Sequence, residues 1–499
     1  MFGGRVLGMK QLLLTICLIL FALPSWGQTT FSGGNISGGK IGSTDTEGSW
    51  AGKTKAPYEF ITIEGQIPLT RKYDLTPTKS DILLTDTRIY EYPHCEDSIK
   101  NNKHLYPYGP KSVASVSKKI AVEDISDVID FSDGDDKGLS DVFGMTINKA
   151  HMACLEDGLS GCSSIWVAMN ILSKAAAFTK NTKAGNSPET YFQTVIRMLK
   201  PLLAAYSTAS QKLGRHKKDE IFKVWMKEAI FQNTYNPFAD KGTRDRDLFR
   251  EKTVRAYGPK YANFGKDPAQ NHSLQSGLIA MMYGVLWEDE HLYQVGLDSY
   301  LITLESVNED GVLELEAIRG GSGLFYSGAT LHTLLQIREI AKNQGHFLDE
   351  LFIETNRIHD VATFLLDVVE NEKLILKYAK ANRTNSMCNT YEKQCFHDNK
   401  RDTAFGWVTI YLKNFPNHEN SKRIIKFYEE LVSSQPINDR RKENLNAVIK
   451  GNFNHEPFRH NLTYPTKYDE KDSYDFKMFP QDTNWNIGSP RCMFDRRSK

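Results

Sequence analysis

Two segments of the chain combine side chains that can bind an anion and move a proton. The first is Asn271-His272-Ser273, which directly precedes an apolar run with helical spacing. The second runs from Asp310 to Arg319 and continues through Gly320-Gly321-Ser322-Gly323 to Tyr326. Arginine offers a planar fork for a carboxylate, and a nearby guanidinium lowers the pKa of a tyrosine towards that of a useful base. Polar groups at a helix start and on a glycine-rich loop are well suited to line a cleft.

Each of these residues also has a purely structural interpretation. Asn271 or Ser273 could cap the helix that follows, and His272 could be a surface group. An arginine after an apolar stretch is usually a salt-bridge partner, and a tyrosine that enters a helix usually packs half-buried. The glycines could serve a tight turn, because the P-loop lysine and hydroxyl are missing. Residue types alone leave these alternatives open.

In combination, the segments resemble the active-site signature of a known family. Asn271-His272-Ser273, Asp310-Gly311-x-Leu313-x-x-Glu316-x-x-Arg319 and Leu324-x-Tyr326 look like the signature of the alginate lyases that degrade polymannuronate on an α/α toroid. Arg319 follows His272 by 47 residues and precedes Tyr326 by 7, and both spacings match the family pattern. The resemblance covers roughly residues 155–345 and includes Cys162-Ser163-Ser164-Ile165-Trp166 upstream.

The resemblance implies a secreted polysaccharide lyase that cuts a 4-linked uronic-acid polymer by β-elimination. Such an enzyme removes the proton at C5 and expels the 4-linked oxygen, so the adjacent carboxylate must be neutralised. By the resemblance, Asn271, His272 and Arg319 neutralise it and Tyr326 acts as acid and base, while His272 is the better base for the C5 epimer. This scheme requires no cofactor and no metal. The expected partner is an acidic polysaccharide, which could be polymannuronate, mixed alginate or a glucuronan.

The chain departs from the family pattern at positions that bear on sugar preference. Gln270 stands where the family often has a second asparagine, and glycines replace the Arg-rich stretch that usually follows the arginine. Arg255 and Lys260 belong to a basic segment that could attract a polyanion, although a solvated surface is equally well supported. Trp407 could stack on a sugar, but core packing is the better interpretation of this residue.

The start of the chain is typical of an export signal. Arg5 and Lys10 precede an apolar run, and Ser25-Trp26-Gly27 places small residues before a cleavage point, so residues 1–27 are predicted to be a signal peptide. An uncleaved membrane anchor is the alternative. We therefore expect a periplasmic or secreted monomer with no membrane segment after signal removal and no nucleic-acid partner. The formal charge of +1 does not indicate a partner by itself.

Six cysteines remain after the signal, and an even number in an exported chain favours disulfides. Six cysteines allow 15 pairings, and a zinc site is the less favoured alternative because no C-x-x-C pair is present. The two short-loop candidates are Cys154 with Cys162 and Cys388 with Cys395. Cys95 with Cys492 is then the remaining pair.

Apolar residues at three- and four-residue spacing predict helices from about residue 160 onward. The clearest runs cover roughly 219–232, 273–287, 290–305, 328–342, 350–380, 403–413 and 421–434, and Pro201 predicts a kink in an earlier run. The expected fold is all-α, an α/α toroid or incomplete helical barrel, with an open solenoid as the alternative. The predicted domains are a flexible leader over 28–55, an irregular segment and candidate lid over 56–150, the toroid over 151–450, and a polar tail packed on it over 451–499.

Two other functions fit parts of this pattern. A glycoside hydrolase on a helical toroid would need two carboxylates at the scissile bond, for which Glu314 and Glu316 are available. A non-catalytic protein that binds a uronate polymer would keep the cleft without the chemistry.

Overall fold

Helices are the only extended regular elements in the described part of the chain. The computed structural model describes residues 73–79, 110–122, 139–156, 159–178, 198–214, 220–234, 271–318, 323–378, 406–434, 446 and 449–450. No strand occurs among these residues. The predicted all-α class is therefore confirmed.

The helices are numbered here in chain order. They are α1 (Pro110–Val122), α2 (Leu139–Glu156), α3 (Ser160–Lys174), α4 (Lys200–Lys212), α5 (Glu220–Thr234), α6 (Asn271–Trp287), α7 (Glu290–Glu305), α8 (Glu314–Ala317), α9 (Gly323–Asn343), α10 (Leu348–Leu351), α11 (Arg357–Glu370), α12 (Trp407–Asn414) and α13 (Glu419–Ser434). Two 3-10 helices, Ile353–Asn356 and Glu372–Lys377, flank α11.

From α4 onward, the long helices alternate between an inner and an outer layer. The inner helices pack side by side in the order α4, α6, α9 and α12. The outer helix α7 packs on α6 and α9, α11 packs on α9 and α7, and α13 packs on α11. This alternation is the arrangement of an α/α toroid, as the sequence predicted. Helices α1, α2 and α3 pack on one another, and α2 and α3 also contact α4.

Burial along the helices explains the two layers. Nearly every residue of α9 is buried, and the described residues of α4 from Lys200 to Ser210 are all buried. Outer helix α11 instead buries one apolar face that includes Ile358, Val361 and Leu365. A helix that is buried on all sides lies in the inner layer, whereas a helix with one apolar face covers that layer.

The pair formed by α6 and α7 depends on close backbone approach. A Cβ atom added at Gly284 would lie 2.4 Å from the backbone nitrogen of Tyr293, and one added at Gly296 would lie 2.4 Å from Cβ of Met281. Helix α7 begins where Asp289 accepts a hydrogen bond from the backbone N–H of Leu292 at 3.1 Å. The predicted helix over 290–305 is confirmed.

Two helices in the N-terminal region correct the sequence interpretation. Residues 110–122 and 139–156 are helical, so the prediction of an irregular segment over 56–150 is wrong for residues 110–122 and 139–150. Val113, Val116 and Ile120 face the core at three- and four-residue spacing, but serine and lysine between them masked the period. Helix α2 also crosses the predicted domain boundary at 150/151.

Pro201 lies near the start of α4, directly after two π-helical residues at 198–199, and the predicted kink concerns a run whose earlier part lies outside the described residues. Pro201 occupies the first turn of α4, which starts at Lys200. A proline is tolerated there because the first N–H groups of a helix have no intrahelical acceptor.

Cys154 and Cys162 form a disulfide that joins α2 to α3, so this predicted pair is confirmed. Among the described residues, no group of three or more His, Cys, Asp or Glu side chains is arranged to hold a metal ion. The two other cysteine pairs lie outside the described residues, as do the signal peptide, the leader and the C-terminal tail. No helix in the described part of the chain is long and apolar enough to span a membrane.

Candidate active site

Asn271 lies at the first position of α6, and a carboxylate from another element holds it there. Its backbone N–H donates to Oε1 of Glu316 at 2.7 Å, and its side-chain Nδ2 donates to Oε2 at 2.8 Å. Both residues are 1% exposed. The asparagine does not cap its own helix, because its Oδ1 has no hydrogen-bond partner in the described part of the protein.

A tightly bonded loop places Glu316 in this position. Oδ1 of Asn308 accepts from the backbone N–H groups of Asp310 and Val312, at 3.0 and 2.9 Å, and its Nδ2 donates to Glu314 at 2.7 Å. Gly311 has a φ of +78°, and a Cβ atom there would lie 2.5 Å from the carbonyl oxygen of Asp360. The loop therefore requires glycine at this position and leads directly into α8, which carries Glu316.

The end of α8 packs against the start of α9, the helix that carries Tyr326. A Cβ atom at Gly323 would lie 3.0 Å from the carbonyl oxygen of Ala317, so the two segments touch through backbone. Tyr326 is the fourth residue of α9 and is 5% exposed. Its ring lies edge-on to that of Phe325, with centroids 4.9 Å apart.

The starts of α6 and α9 lie at the same end of the helix pair. Gln275, one turn beyond Asn271, donates through Nε2 to Oγ1 of Thr333 at 2.6 Å. Thr333 lies about two turns beyond Tyr326 on α9. Because Glu316 also joins Asn271 to the segment that contacts the start of α9, both helices run away from the site in the same direction. The fold thus brings Asn271, Glu316 and Tyr326 to one end of the inner layer.

A polar chain lies below the site, inside the inner layer. Lys200 of α4 is fully buried and donates through Nζ to Oε1 of Gln275 at 2.9 Å. Burial lowers the pKa of Lys200 well below its ordinary value. On α9, burial lowers the pKa of His332 to about 3, and the charge of Lys200 acts in the same direction. These links connect three inner helices one or two turns away from the candidate catalytic groups.

Several predicted site residues lie outside the described part of the chain. His272 belongs to the backbone of α6, but its side chain is not described, and Gln270, Arg255, Lys260 and Arg319 also lie outside. Their roles stay predictions.

Trp407 is described, and its environment supports core packing. The side chain is 0% exposed, and its ring packs edge-on against Tyr411 with centroids 5.6 Å apart. A fully buried indole presents no face to a sugar, so the structure does not support Trp407 as a substrate-binding residue.

Glu316 is the residue of this site whose role sequence reasoning missed. Its place in the Asp310 to Arg319 segment was evident, but its partner lies 45 residues away and no local spacing indicates the contact. The hydrolase alternative would use Glu314 and Glu316 as acid and base. Both carboxylates accept structural hydrogen bonds, from Asn308 and Asn271 respectively, which favours a positioning role over a catalytic pair.

Comparisons with known proteins bear on the same region. A family model described as alginate lyase matches residues 225–375, which include α6, α8 and α9. A polysaccharide lyase from Stenotrophomonas maltophilia (strain K279a) is 26% identical over 151 residues, which are 29% of this chain and 45% of that protein. The chain therefore matches less than half the length of this relative.

Among solved structures, alginate lyase A1-III from Sphingomonas species A1 is similar at 17% identity, with a TM-score of 0.46 over 70% of this chain and 93% of that chain. A tetrasaccharide complex of a variant of alginate lyase A1-III gives 20% identity and a TM-score of 0.42, over 56% of this chain and 69% of that chain.

The matched region is therefore similar to polysaccharide lyases. Within this similarity, residues 225–375 match the model of the alginate lyase family.

Proposed function

We propose that the protein is an exported lyase that cleaves a 4-linked uronic-acid polymer of the alginate type by β-elimination. In this proposal Tyr326 transfers the protons, and Asn271, His272 and Arg319 neutralise the carboxylate of the sugar that loses its C5 proton. The proposal includes a monomeric protein in the periplasm or outside the cell, with an acidic polysaccharide as its partner.

One observation carries the proposal. A buried amide, Asn271, and a nearly buried phenol, Tyr326, lie at the same end of two packed inner helices, within the segment that matches the alginate lyase family. An amide that keeps a free acceptor and a second N–H is suited to a carboxyl group or a neighbouring hydroxyl. A phenol at the same end of the helix pair can exchange a proton with the same sugar ring.

The chemistry requires both functions in one place. The C5 proton of a uronate is too weakly acidic to be removed while the adjacent carboxylate keeps its full charge, so donors must stabilise the developing enolate. In mannuronate the C5 proton and the leaving oxygen can lie on one side of the ring. Tyr326 alone can then take the proton and return it to the leaving oxygen.

The test is cleavage of polymannuronate, polyguluronate and polyglucuronate, followed by the ultraviolet absorbance of the new C4–C5 double bond. We expect at least one polymer to give absorbing products. Replacement of the phenol by Tyr326→Phe should lower kcat by about 10²- to 10⁴-fold, which is the usual contribution of a general acid and base, while the polymer still binds.

Tyr283→Phe is the matched control for this variant. Tyr283 lies on α6 about 18 Å along the helix from Asn271, and its hydroxyl donates to the carbonyl oxygen of Lys223 at 3.2 Å. This variant should keep the wild-type rate. Full turnover in Tyr326→Phe would remove Tyr326 from the mechanism. Reducing ends without ultraviolet absorbance would indicate a hydrolase, and binding without any cleavage would indicate a sugar-binding protein.

A further inference from the structure

We infer that Glu316 is a positioning residue that fixes which edge of the Asn271 amide faces the sugar. This inference rests on the proposed function and assigns a role to a residue that does not itself touch the substrate. It follows from the two hydrogen bonds between these side chains and from the open acceptor on Asn271.

The chemistry of a carboxylate leaves the amide a single orientation. Both oxygens of an ionised carboxylate are acceptors, so Oδ1 of Asn271 cannot face Glu316 and Nδ2 must. The observed 2.8 Å bond from Nδ2 to Oε2, beside the 2.7 Å bond from the backbone N–H to Oε1, satisfies both oxygens. The backbone N–H cannot turn, because it belongs to the helix, and it anchors the carboxylate in register.

The start of α6 also explains why a carboxylate is tolerated in so buried a place. The first N–H groups of a helix lack intrahelical acceptors, and the helix dipole favours a negative charge at this end. Glu316 accepts one of these N–H groups directly. Its charge is therefore held by the helix start and by the amide, and it does not have to contact the polyanion.

The opposite edge of the amide is left for a ligand. Oδ1 is buried and has no hydrogen-bond partner in the described part of the protein, and Nδ2 keeps its second hydrogen. A buried acceptor without a partner is costly, and a substrate that supplies an O–H group relieves that cost. The edge thus offers one acceptor and one donor side by side, which complements a protonated carboxyl group or a hydroxyl next to a carboxylate. A role in which Asn271 only donates a hydrogen bond to the carboxylate would use only half of this edge.

The decisive variant is Glu316→Gln, which keeps the size of the side chain but supplies only one acceptor. The fixed backbone N–H of Asn271 donates to that acceptor, the new Oε1. The NH2 group of the introduced glutamine therefore faces the side chain of Asn271. The asparagine amide then turns by about 180° to accept from it, and Nδ2 replaces Oδ1 at the edge that meets the sugar. The two hydrogen bonds between this residue and Asn271 are retained in number, so we expect only a small effect on folding.

We expect Glu316→Gln to lower kcat by about 10- to 100-fold, the effect of one buried unmatched polar contact, with KM changed less than about threefold. The melting temperature should stay within a few degrees of wild type. Glu314→Gln is the matched control, because this carboxylate lies on the same short helix and bonds to Asn308 instead of Asn271. It should keep kcat within about threefold of wild type.

The outcomes separate this inference from the proposed function. Wild-type cleavage together with an unchanged kcat in Glu316→Gln would overturn the positioning role and leave the lyase proposal intact. No cleavage of any uronate polymer by the wild type would overturn both. If Glu316→Gln proves unstable, Glu316→Asp keeps both acceptors but withdraws them by one methylene group. A kcat equal to wild type in a folded Glu316→Asp variant would then overturn the inference.

Discussion

The two histidines buried in the helical core should make the stability of this protein fall steeply in mild acid. His151 is 0% exposed and His332 is 2% exposed. Burial lowers the pKa of each imidazole to about 3, and the charges of Lys212 and Lys200, respectively, act in the same direction. Both rings therefore stay neutral in the folded protein at every pH above about 4.

The size of the effect follows from proton linkage. In the unfolded chain each imidazole has an ordinary pKa of 6.5, so below this pH the unfolded state binds a proton that the folded state refuses. The free energy of unfolding thus falls as the pH drops from 6.5 towards 3. At pH 5, which is about 1.5 pH units below the ordinary pKa, the free energy of unfolding has fallen by about 2 kcal/mol for each ring and by about 4 kcal/mol for both.

Urea unfolding followed by circular dichroism at pH 7.5 and pH 5 measures this loss. His151→Gln and His332→Gln keep a hydrogen-bonding group near Oγ1 of Thr208 and Nε2 of Gln336, the partners that now lie 2.8 and 3.2 Å from the rings. Each variant should lose about 2 kcal/mol less than wild type between the two pH values, and the double variant about 4 kcal/mol less.

Carboxylates titrate in all of these proteins, so only the differences between variants report on the two rings. The reasoning would be refuted if the single variants lost as much free energy of unfolding between pH 7.5 and pH 5 as the wild type does. That result would mean that the folded core admits the protons.

Two further predictions concern links that hold the helices together. Removal of the disulfide between Cys154 and Cys162, which closes a segment with a sequence separation of 8, by the double variant Cys154→Ser and Cys162→Ser should lower the free energy of unfolding by about 2.5 kcal/mol, measured by urea unfolding. Arg338 donates to Asp349 at 2.9 Å and to the buried Glu339 at 3.1 Å, so Arg338→Met should cost about 3–5 kcal/mol in the same assay. Adding Glu339→Gln to Arg338→Met should recover part of that loss, because no buried charge is then left unpaired.

The long helices could be predicted from the sequence because their positions depend on local signals. The 290–305 run is bounded by Asp289, whose side chain caps the helix, and the structure gives the same limits. The last run was predicted over 421–434 and is observed as Glu419–Ser434. Helices α1 and α2 were missed because serine, lysine and glycine separate their apolar residues and weaken the helical period. Their burial depends on packing against other helices, α3 for both and α4 for α2.

The candidate site was predictable in part. Asn271 and Tyr326 were selected by the resemblance of their segments to the alginate lyase signature, and the structure places both at one end of the inner layer. The bond from Asn271 to Glu316 could not be predicted, because it joins elements that are far apart in sequence and only packing brings them together. The sequence already favoured core packing for Trp407, and the side chain is buried.

The hydrogen-bonded side chains of Lys200, Gln275 and Thr333 explain how contacts between residues far apart in sequence can form with a fixed geometry. An apolar interface between α4, α6 and α9 would tolerate small slides, because apolar contacts are not directional. The bonds from Lys200 to Gln275 and from Gln275 to Thr333 are directional, and any slide would break hydrogen bonds between buried polar groups. These hydrogen bonds therefore fix the register of the helices that carry Asn271 and Tyr326. A site that depends on the orientation of one amide needs this kind of support more than it needs additional apolar packing.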